Sequence, residues 1–283
     1  MELENLKKYL EMFWTPEKCG KAGEPSEFID QHDMILTKTL LVKPEYLLEQ
    51  LNENTFNFQN FELIPWSDFL KRAKLAEYLQ PDYIKYALEV TTGRPAIGRG
   101  EFLFVSCFSN LGFSKGRGDI VDMKSGKKCE FKGMRSTLSG DGKEYRQMNK
   151  SLIYSVFSLF NTGAEYDHFN RECAASVDDL LSEHPELLPK VLARLQNVYE
   201  PDMAFVREFG ELYDLKKDLF NVVGAMQMCL YMKMQGASSI MFTNDEGFRC
   251  FEYPESAAEA YNIVKGLKLS SWMTGDYGMT IGM

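Results

Sequence analysis

Two acidic residues and a lysine lie within fourteen positions of one another in a stretch that reads as a β-hairpin. Asp119 precedes the run Cys129-Glu130-Phe131-Lys132. Side chains alternate along a strand, so Glu130 and Lys132 point to one face while Cys129 and Phe131 point to the core. An Asp119 on the partner strand comes close to Glu130, and paired carboxylates suit Mg²⁺ or Mn²⁺. Beside such an ion a lysine can orient and help deprotonate a water molecule, which is the equipment for phosphodiester hydrolysis.

The three-residue pattern of an acidic residue, any residue and a lysine is common, so its context decides its meaning. It occurs at Asp122-Lys124, Glu130-Lys132, Asp141-Lys143 and Asp214-Lys216. The first runs into a turn, the third lies in a glycine-rich loop and the fourth in a predicted helix. Only the second lies in a strand-like run with an aspartate on a preceding strand. The alternative for that pair is a surface ion pair on the edge of a hairpin.

The elements around these residues are predicted from hydrophobic periodicity and turn residues. DIVDM (119–123) and KKCEFKG (127–133) predict two strands, joined by a turn at Gly126. GEFLFVSCFSNLGF (100–113) predicts a buried helix that ends near Gly112, with a strand as the alternative. RQMNKSLIYSVFSLF (146–160) predicts an amphipathic helix after the hairpin.

Helical patterns dominate the remainder of the chain. Residues 1–90 are predicted to be helical, as are 176–199 and 202–235, whereas 238–254 predict a second hairpin with an Asp-Glu-Gly turn. This order predicts an α/β (α+β) fold in which helices flank a small mixed sheet. We expect a helical N-terminal region over 1–94, which binds DNA or a partner, a domain over 95–270 and a tail over 271–283.

Three short segments resemble a known family. GRGE (98–101), GDIVD (118–122) and CEFKG (129–133) are similar to the core of the restriction-endonuclease-like superfamily, the PD-(D/E)xK nucleases. In that family a helix carries a glutamate, a hairpin carries the aspartate and the Glu-x-Lys motif, and a helix follows. The resemblance covers roughly residues 95–165 and extends more loosely to about 252. One departure is Gly118, which stands where the family usually has proline.

The resemblance implies a fold, a reaction and a role for each site residue. It implies a restriction-endonuclease-like core and a Mg²⁺-dependent (or Mn²⁺-dependent) deoxyribonuclease, which on family frequency is an endonuclease. Asp119 and Glu130 would be the metal ligands, and Glu101 an additional carboxylate for the metal or the water. Lys132 would be the catalytic lysine.

The distribution of charge agrees with local binding to a polyanion. The chain has a net charge of −9, but residues 115–150 hold ten Lys and Arg against five Asp and Glu. Basic residues near the motif are the candidates for DNA phosphate contacts. They are Lys115, Arg117, Lys127, Lys128, Arg135, Lys143, Arg146 and Lys150. The alternatives are a solvated surface, a non-catalytic structural or DNA-handling component (for example of a phage particle) that keeps the nuclease fold, and an RNA-directed nuclease.

Composition excludes several other classes of protein. A chain of 283 residues with 45% hydrophobic residues is long and apolar enough to bury a sizeable core. The six cysteines include no C-x-x-C pair, and neither a phosphate-loop motif nor a G-x-S-x-G motif is present. The charged start and the lack of a long apolar run predict a protein without a membrane segment.

We expect it in the cytoplasm, or in a viral particle or host cytoplasm if a phage encodes it. A homodimer would let two sites address both DNA strands, and a larger assembly is the alternative.

Overall fold

The computed structural model describes residues 3–91, 97–98, 100–133, 136–138, 150–196, 200–270 and 280–282. The chain divides into two units, each built from two segments. Unit 1 comprises Met1–Gly133 and Gln235–Glu252, and unit 2 comprises Met134–Met234 and Tyr253–Met283. The division differs from the predicted boundaries at 94/95 and 270/271. The N-terminal region and the hairpin belong to one unit, and unit 2 includes a long insertion between strands of unit 1.

Helices and strands alternate irregularly along the chain. The helices are α1 Leu3–Phe13, α2 Pro16–Cys19, α3 Pro25–Thr39, α4 Pro44–Glu53, α5 Trp66–Arg72, α6 Asp82–Glu89, α7 Glu101–Cys107, α8 Lys150–Phe157, α9 Arg171–Glu183, α10 Leu188–Leu195, α11 Met203–Lys216, α12 Leu219–Gln235 and α13 Ala257–Lys265. The strands are β1 Phe61–Pro65, β2 Leu111–Phe113, β3 Ile120–Asp122, β4 Lys128–Lys132, β5 Ser136–Thr137, β6 Ser239–Thr243, β7 Gly247–Glu252, β8 Lys268–Ser270 and β9 Thr280–Gly282. Two 3₁₀ turns lie at Ser158–Phe160 and Pro185–Leu187.

A six-stranded mixed sheet forms the centre of unit 1, which confirms the mixed α/β class. Its strand order is β1-β7-β6-β4-β3-β2, and β4 and β6 are its parallel neighbours. The predicted hairpin is confirmed, because Ile120 pairs with Cys129 across β3 and β4. Gly126 in its turn has a φ of +73°, which glycine adopts without strain. The second predicted hairpin is β6 and β7.

Two predictions for the first half of the chain were wrong in part. Residues 1–90 are not entirely helical, because β1 pairs with β7 in the antiparallel direction. Its partner lies about 180 residues later, so a reading of local periodicity could not find the pair. The segment 100–113 is not one helix to Gly112 either. It forms α7 and then β2, which pairs with β3.

Helix α7 lies in the core of unit 1, and all of its residues are buried. The Phe104 ring packs edge-on against Phe131 of β4 and Phe248 of β7, with centroids 5.2 and 5.0 Å apart. Phe102 stacks on Trp14 at 5.5 Å. Burial of each such ring contributes roughly 1.5–3 kcal/mol. The helix is therefore fixed both to the sheet and to the N-terminal helices, and so is its first residue, Glu101.

Unit 2 is mainly helical. It contains most of the helices after α7 and a three-stranded sheet in the order β5-β9-β8. Helix α12 is the most buried of its helices, and its methionines at 226, 228 and 232 are fully enclosed, as expected of core residues. Among the residues that the structure describes, no helix is both long and apolar enough to cross a bilayer.

Candidate functional site

Asp119 directly precedes β3 and is held by hydrogen bonds to the next strand. Its N–H donates to the Cys129 carbonyl (3.1 Å), and its Oδ2 accepts a hydrogen bond from the Phe131 N–H (2.7 Å). The preceding residue, Gly118, has a φ of +80°. Proline is locked near −65° and cannot adopt that angle. A proline could therefore not replace Gly118 in this backbone conformation.

Glu130 and Lys132 project from the same face of β4, as the strand periodicity requires. Lys132 Nζ lies 2.9 Å from Glu130 Oε1, and both side chains are largely shielded from solvent. Cys129 and Phe131 are buried on the other face. The predicted division of β4 into a polar face and a core face is thus present in the structure.

Glu101 begins α7 and reaches back toward the preceding loop. Gly100 precedes it with a φ of +92°, and Glu101 Oε1 accepts a hydrogen bond from the Gly98 N–H at 2.7 Å. A Cβ at position 98 would lie 2.2 Å from that oxygen, so a larger residue there would displace the Glu101 carboxylate. Gly98 and Gly100 of the GRGE segment therefore help to determine where the Glu101 carboxylate lies.

The carboxyl groups of Glu101, Asp119 and Glu130 interact electrostatically. Burial, followed by the charge of Asp119, raises the pKa of Glu101 to about 8, although the Gly98 N–H opposes the shift. Burial, followed by the charge of Glu130, raises the pKa of Asp119 to about 6, although the Phe131 N–H and two lysines oppose the shift. Like charges in a low-dielectric site disfavour ionisation. A cation bound at this site would therefore favour the ionised forms of Glu101 and Asp119.

The donor types fit a hard divalent cation such as Mg²⁺ or Mn²⁺. Carboxylate oxygens are its preferred ligands, and a bound cation would oppose the burial and mutual repulsion that raise the pKa values of Glu101 and Asp119. As they stand, no three His, Cys, Asp or Glu side chains in the described ranges are grouped so that they could hold a metal ion. Glu130 is instead paired with Lys132. The ligand types are therefore those that Mg²⁺ or Mn²⁺ prefers, but the described side chains are not already arranged around an ion position.

The structure locates some of the predicted DNA-contacting residues. Lys115 and Arg117 are exposed in the loop before Asp119, and Lys128 is half-buried on the polar face of β4. Arg135 and Arg146 lie outside the described residues, as does Lys143, and nothing is described of the Lys150 side chain. Lys127 is exposed, and its Nζ lies 3.9 Å from Glu252 Oε1.

Sequence reasoning missed a further cation, Lys21. Its ammonium group donates to the Gly116 carbonyl, and its charge is one of the two that lower the pKa of Asp119. Lys21 lies about 100 residues before Asp119 in the chain and belongs to no motif. The available local signal was Gly20, a residue suited to end a short helix.

The chain was also compared with known proteins. No protein-family model, no curated protein and no solved structure matches it.

Proposed function

We propose that the protein is a metal-dependent endonuclease that hydrolyses DNA phosphodiester bonds with a restriction-endonuclease-like core. One observation carries this proposal. Four polar residues belong to one unit and come from three neighbouring elements. Glu101 begins the buried helix α7, Asp119 directly precedes β3, and Glu130 and Lys132 lie on β4. The order of helix, hairpin and a parallel strand beside β4 agrees with the family that the motifs resemble.

Each of these residues has a defined task in the proposed reaction. Asp119 and Glu130, with Glu101 as an additional carboxylate, would hold the Mg²⁺ ion. When bound, the ion lowers the pKa of a water molecule and stabilises charge on a phosphate oxygen. Lys132 Nζ would orient the attacking water. Hydrolysis adds the oxygen of that water to phosphorus, breaks one P–O ester bond and delivers a proton to the leaving oxygen.

DNA is the proposed substrate because basic residues adjoin the carboxylates on β4 and in the loop before Asp119. Lys128 projects from the same strand face as Glu130 and Lys132, and Lys115 and Arg117 lie in the adjoining loop. Basic side chains around a metal site neutralise backbone phosphates without regard to sequence. The rest of the chain is acidic, so the basic segment would direct a polyanion to this face.

A second candidate function is a non-catalytic structural or DNA-handling component that keeps the nuclease fold. The observation that favours it is the ion pair between Lys132 and Glu130, together with the lack of a preformed three-ligand group among the described residues. In that case the ion pair would serve as a buried polar link in the sheet.

Cleavage of supercoiled plasmid DNA decides between the two functions. A closed circle has no ends, so nicking or linearisation by the purified protein with Mg²⁺ or Mn²⁺ requires an endonuclease. We expect Lys132→Ala to lower the rate by roughly 100-fold or more and EDTA to abolish cleavage. Lys124→Ala is the matched control, because Asp122-Lys124 has the same spacing but lies in the hairpin turn.

The nuclease proposal is contradicted if the wild-type protein leaves the plasmid intact with both metals at low salt. It is also contradicted if Lys132→Ala and Lys124→Ala cleave equally well.

A further inference from the structure

The chain after α2 packs directly on strand β2, with no side chain between the two backbones. Gly20 has a φ of +59°, and a Cβ there would lie 1.9 Å from the Phe113 carbonyl oxygen. On the facing strand, a Cβ at Gly112 would lie 3.0 Å from the Lys18 carbonyl oxygen. A larger residue at Gly20 would prevent this approach, and one at Gly112 would have to displace its neighbours.

A buried lysine fixes the same contact. The Lys18 side chain is 2% exposed, and its Nζ donates to the carbonyl oxygens of Phe108 (2.7 Å) and Leu111 (2.8 Å). Phe108 lies in the connection between α7 and β2, and Leu111 is the first residue of β2. A buried ammonium group is costly unless it is hydrogen-bonded, so these bonds hold α2 in one position. The position of the residues that follow α2 is therefore fixed by the Lys18 hydrogen bonds and by the contact at Gly20.

Lys21 follows this contact and reaches the loop that leads to Asp119. Its Nζ donates to the carbonyl oxygen of Gly116. The loop is closed by Ser114, whose Oγ accepts from the Gly116 N–H (3.3 Å) and donates to the Arg117 carbonyl (3.0 Å). The position of Lys21 is consequently defined relative to Asp119 through a short, well-bonded loop.

A second ammonium group lies close to Gly116. Lys128 Nζ is 3.5 Å from the point that a Cβ at Gly116 would occupy. Within the described part of the chain, neither Lys21 nor Lys128 has a carboxylate within ion-pair distance. Two cations that form no ion pair with a described carboxylate and lie close to one main-chain position can together bind an external anion.

We infer that Lys21 and Lys128 flank Gly116 to form a subsite for a DNA backbone phosphate adjoining the one that is cleaved. The inference rests on the proposed function and adds a residue from the N-terminal region to substrate binding. Lys21 would act as a positioning residue: it would hold the neighbouring phosphate while Asp119 and its partners act on the scissile one. The N-terminal helices would then be part of the substrate site rather than a separate binding module.

Binding of a fluorescein-labelled DNA duplex by the full chain tests the subsite without requiring cleavage. Fluorescence anisotropy would be measured with Ca²⁺ in place of Mg²⁺, over a series of salt concentrations, for wild type, Lys21→Ala, Lys128→Ala and Lys21→Arg. We expect each alanine variant to weaken binding by roughly 5- to 10-fold and to reduce the slope of log K against log salt by about 1. Lys21→Arg should bind like wild type, because it keeps the charge.

The matched control is Lys8→Ala, which removes an exposed lysine from α1 of the same unit and should not change binding. Thermal unfolding of every variant would show whether the fold is retained. If Lys21→Ala folds and binds DNA as tightly as wild type, the subsite is wrong, whether or not the plasmid is cleaved.

The outcomes for the subsite and for the nuclease remain separable. Weaker binding by Lys21→Ala in a wild-type protein that cuts no DNA supports the subsite and overturns the nuclease. Cleavage by wild type with unchanged binding by Lys21→Ala overturns the subsite alone. No DNA binding by wild type overturns both.

Discussion

His32 should lower the free energy of unfolding in mild acid, because it lies at the centre of a fully buried hydrogen-bond chain. Its Nδ1 accepts from Trp14 Nε1 (2.9 Å), and its Nε2 lies 3.0 Å from Tyr83 Oη. The indole can only donate, so Nε2 carries the proton and donates to the tyrosine. Tyr83 in turn contacts Ser106 Oγ of α7 at 2.6 Å. Protonation of His32 would set the indole N–H against a second donor.

The size of the effect follows from the pKa. Burial, followed by the charge of Lys18, lowers the pKa of His32 from 6.5 to about 3. Between pH 6.5 and about 3, His32 is protonated in the unfolded chain and neutral in the folded chain. The free energy of unfolding therefore decreases as the pH falls through this interval. At 1.36 kcal/mol per pH unit, the free energy of unfolding should be about 2 kcal/mol lower at pH 5 than at pH 8 on account of this residue.

Urea unfolding followed by tryptophan fluorescence at pH 8, 6.5 and 5 measures this loss for the wild type and for His32→Gln. The glutamine does not titrate, so the difference between the two proteins isolates His32 from the carboxyl groups. His184→Gln is the matched control, since the His184 side chain is 50% exposed, and it should follow the wild type. The reasoning is refuted if the wild type and His32→Gln lose stability in parallel between pH 8 and pH 5.

Three further substitutions test how the fold positions the site. Gly98→Ala should displace the Glu101 carboxylate, since its Cβ would lie 2.2 Å from Oε1. We expect about a 100-fold loss of cleavage with little change in melting temperature, and unchanged cleavage would contradict this. Gly20→Ala should destabilise the protein by at least about 2 kcal/mol in urea unfolding, because of its positive φ and its clash with the Phe113 carbonyl. Asn54→Ala should cost about 1–3 kcal/mol in the same assay, because the Asn54 amide donates to two buried main-chain carbonyls, and a smaller loss would argue that water replaces it.

The parts of the site that could be predicted from the sequence are local in the chain. Alternation of side chains and a glycine turn are sufficient to predict the hairpin, and with it the shared face of Glu130 and Lys132. The motif GRGE predicted a role for Glu101 only through resemblance. The structure adds how the Glu101 carboxylate is held, which is by a hydrogen bond from the Gly98 N–H.

The parts that escaped prediction depend on contacts between distant segments. β1 has a strand partner about 180 residues later, and Lys21 reaches a loop about 100 residues later. No periodicity within either segment records such a partner. The division into units escaped for the same reason, because it depends on β6 and β7 returning to a sheet that began before residue 133.

The distance along the chain between β1 and β7 has a consequence during synthesis on the ribosome. At roughly 5–20 residues per second, about 10–40 s separate the emergence of the two strands. The Trp66 indole N–H donates to the Asn244 carbonyl, so this hydrogen bond also cannot form until that segment has been synthesised. Until then the nascent chain exposes an unpaired strand edge and the apolar surface that β7 later covers. Release of the chain before residue 247 should therefore yield an aggregating product, and production of the protein should depend on chaperones that shield nascent chains.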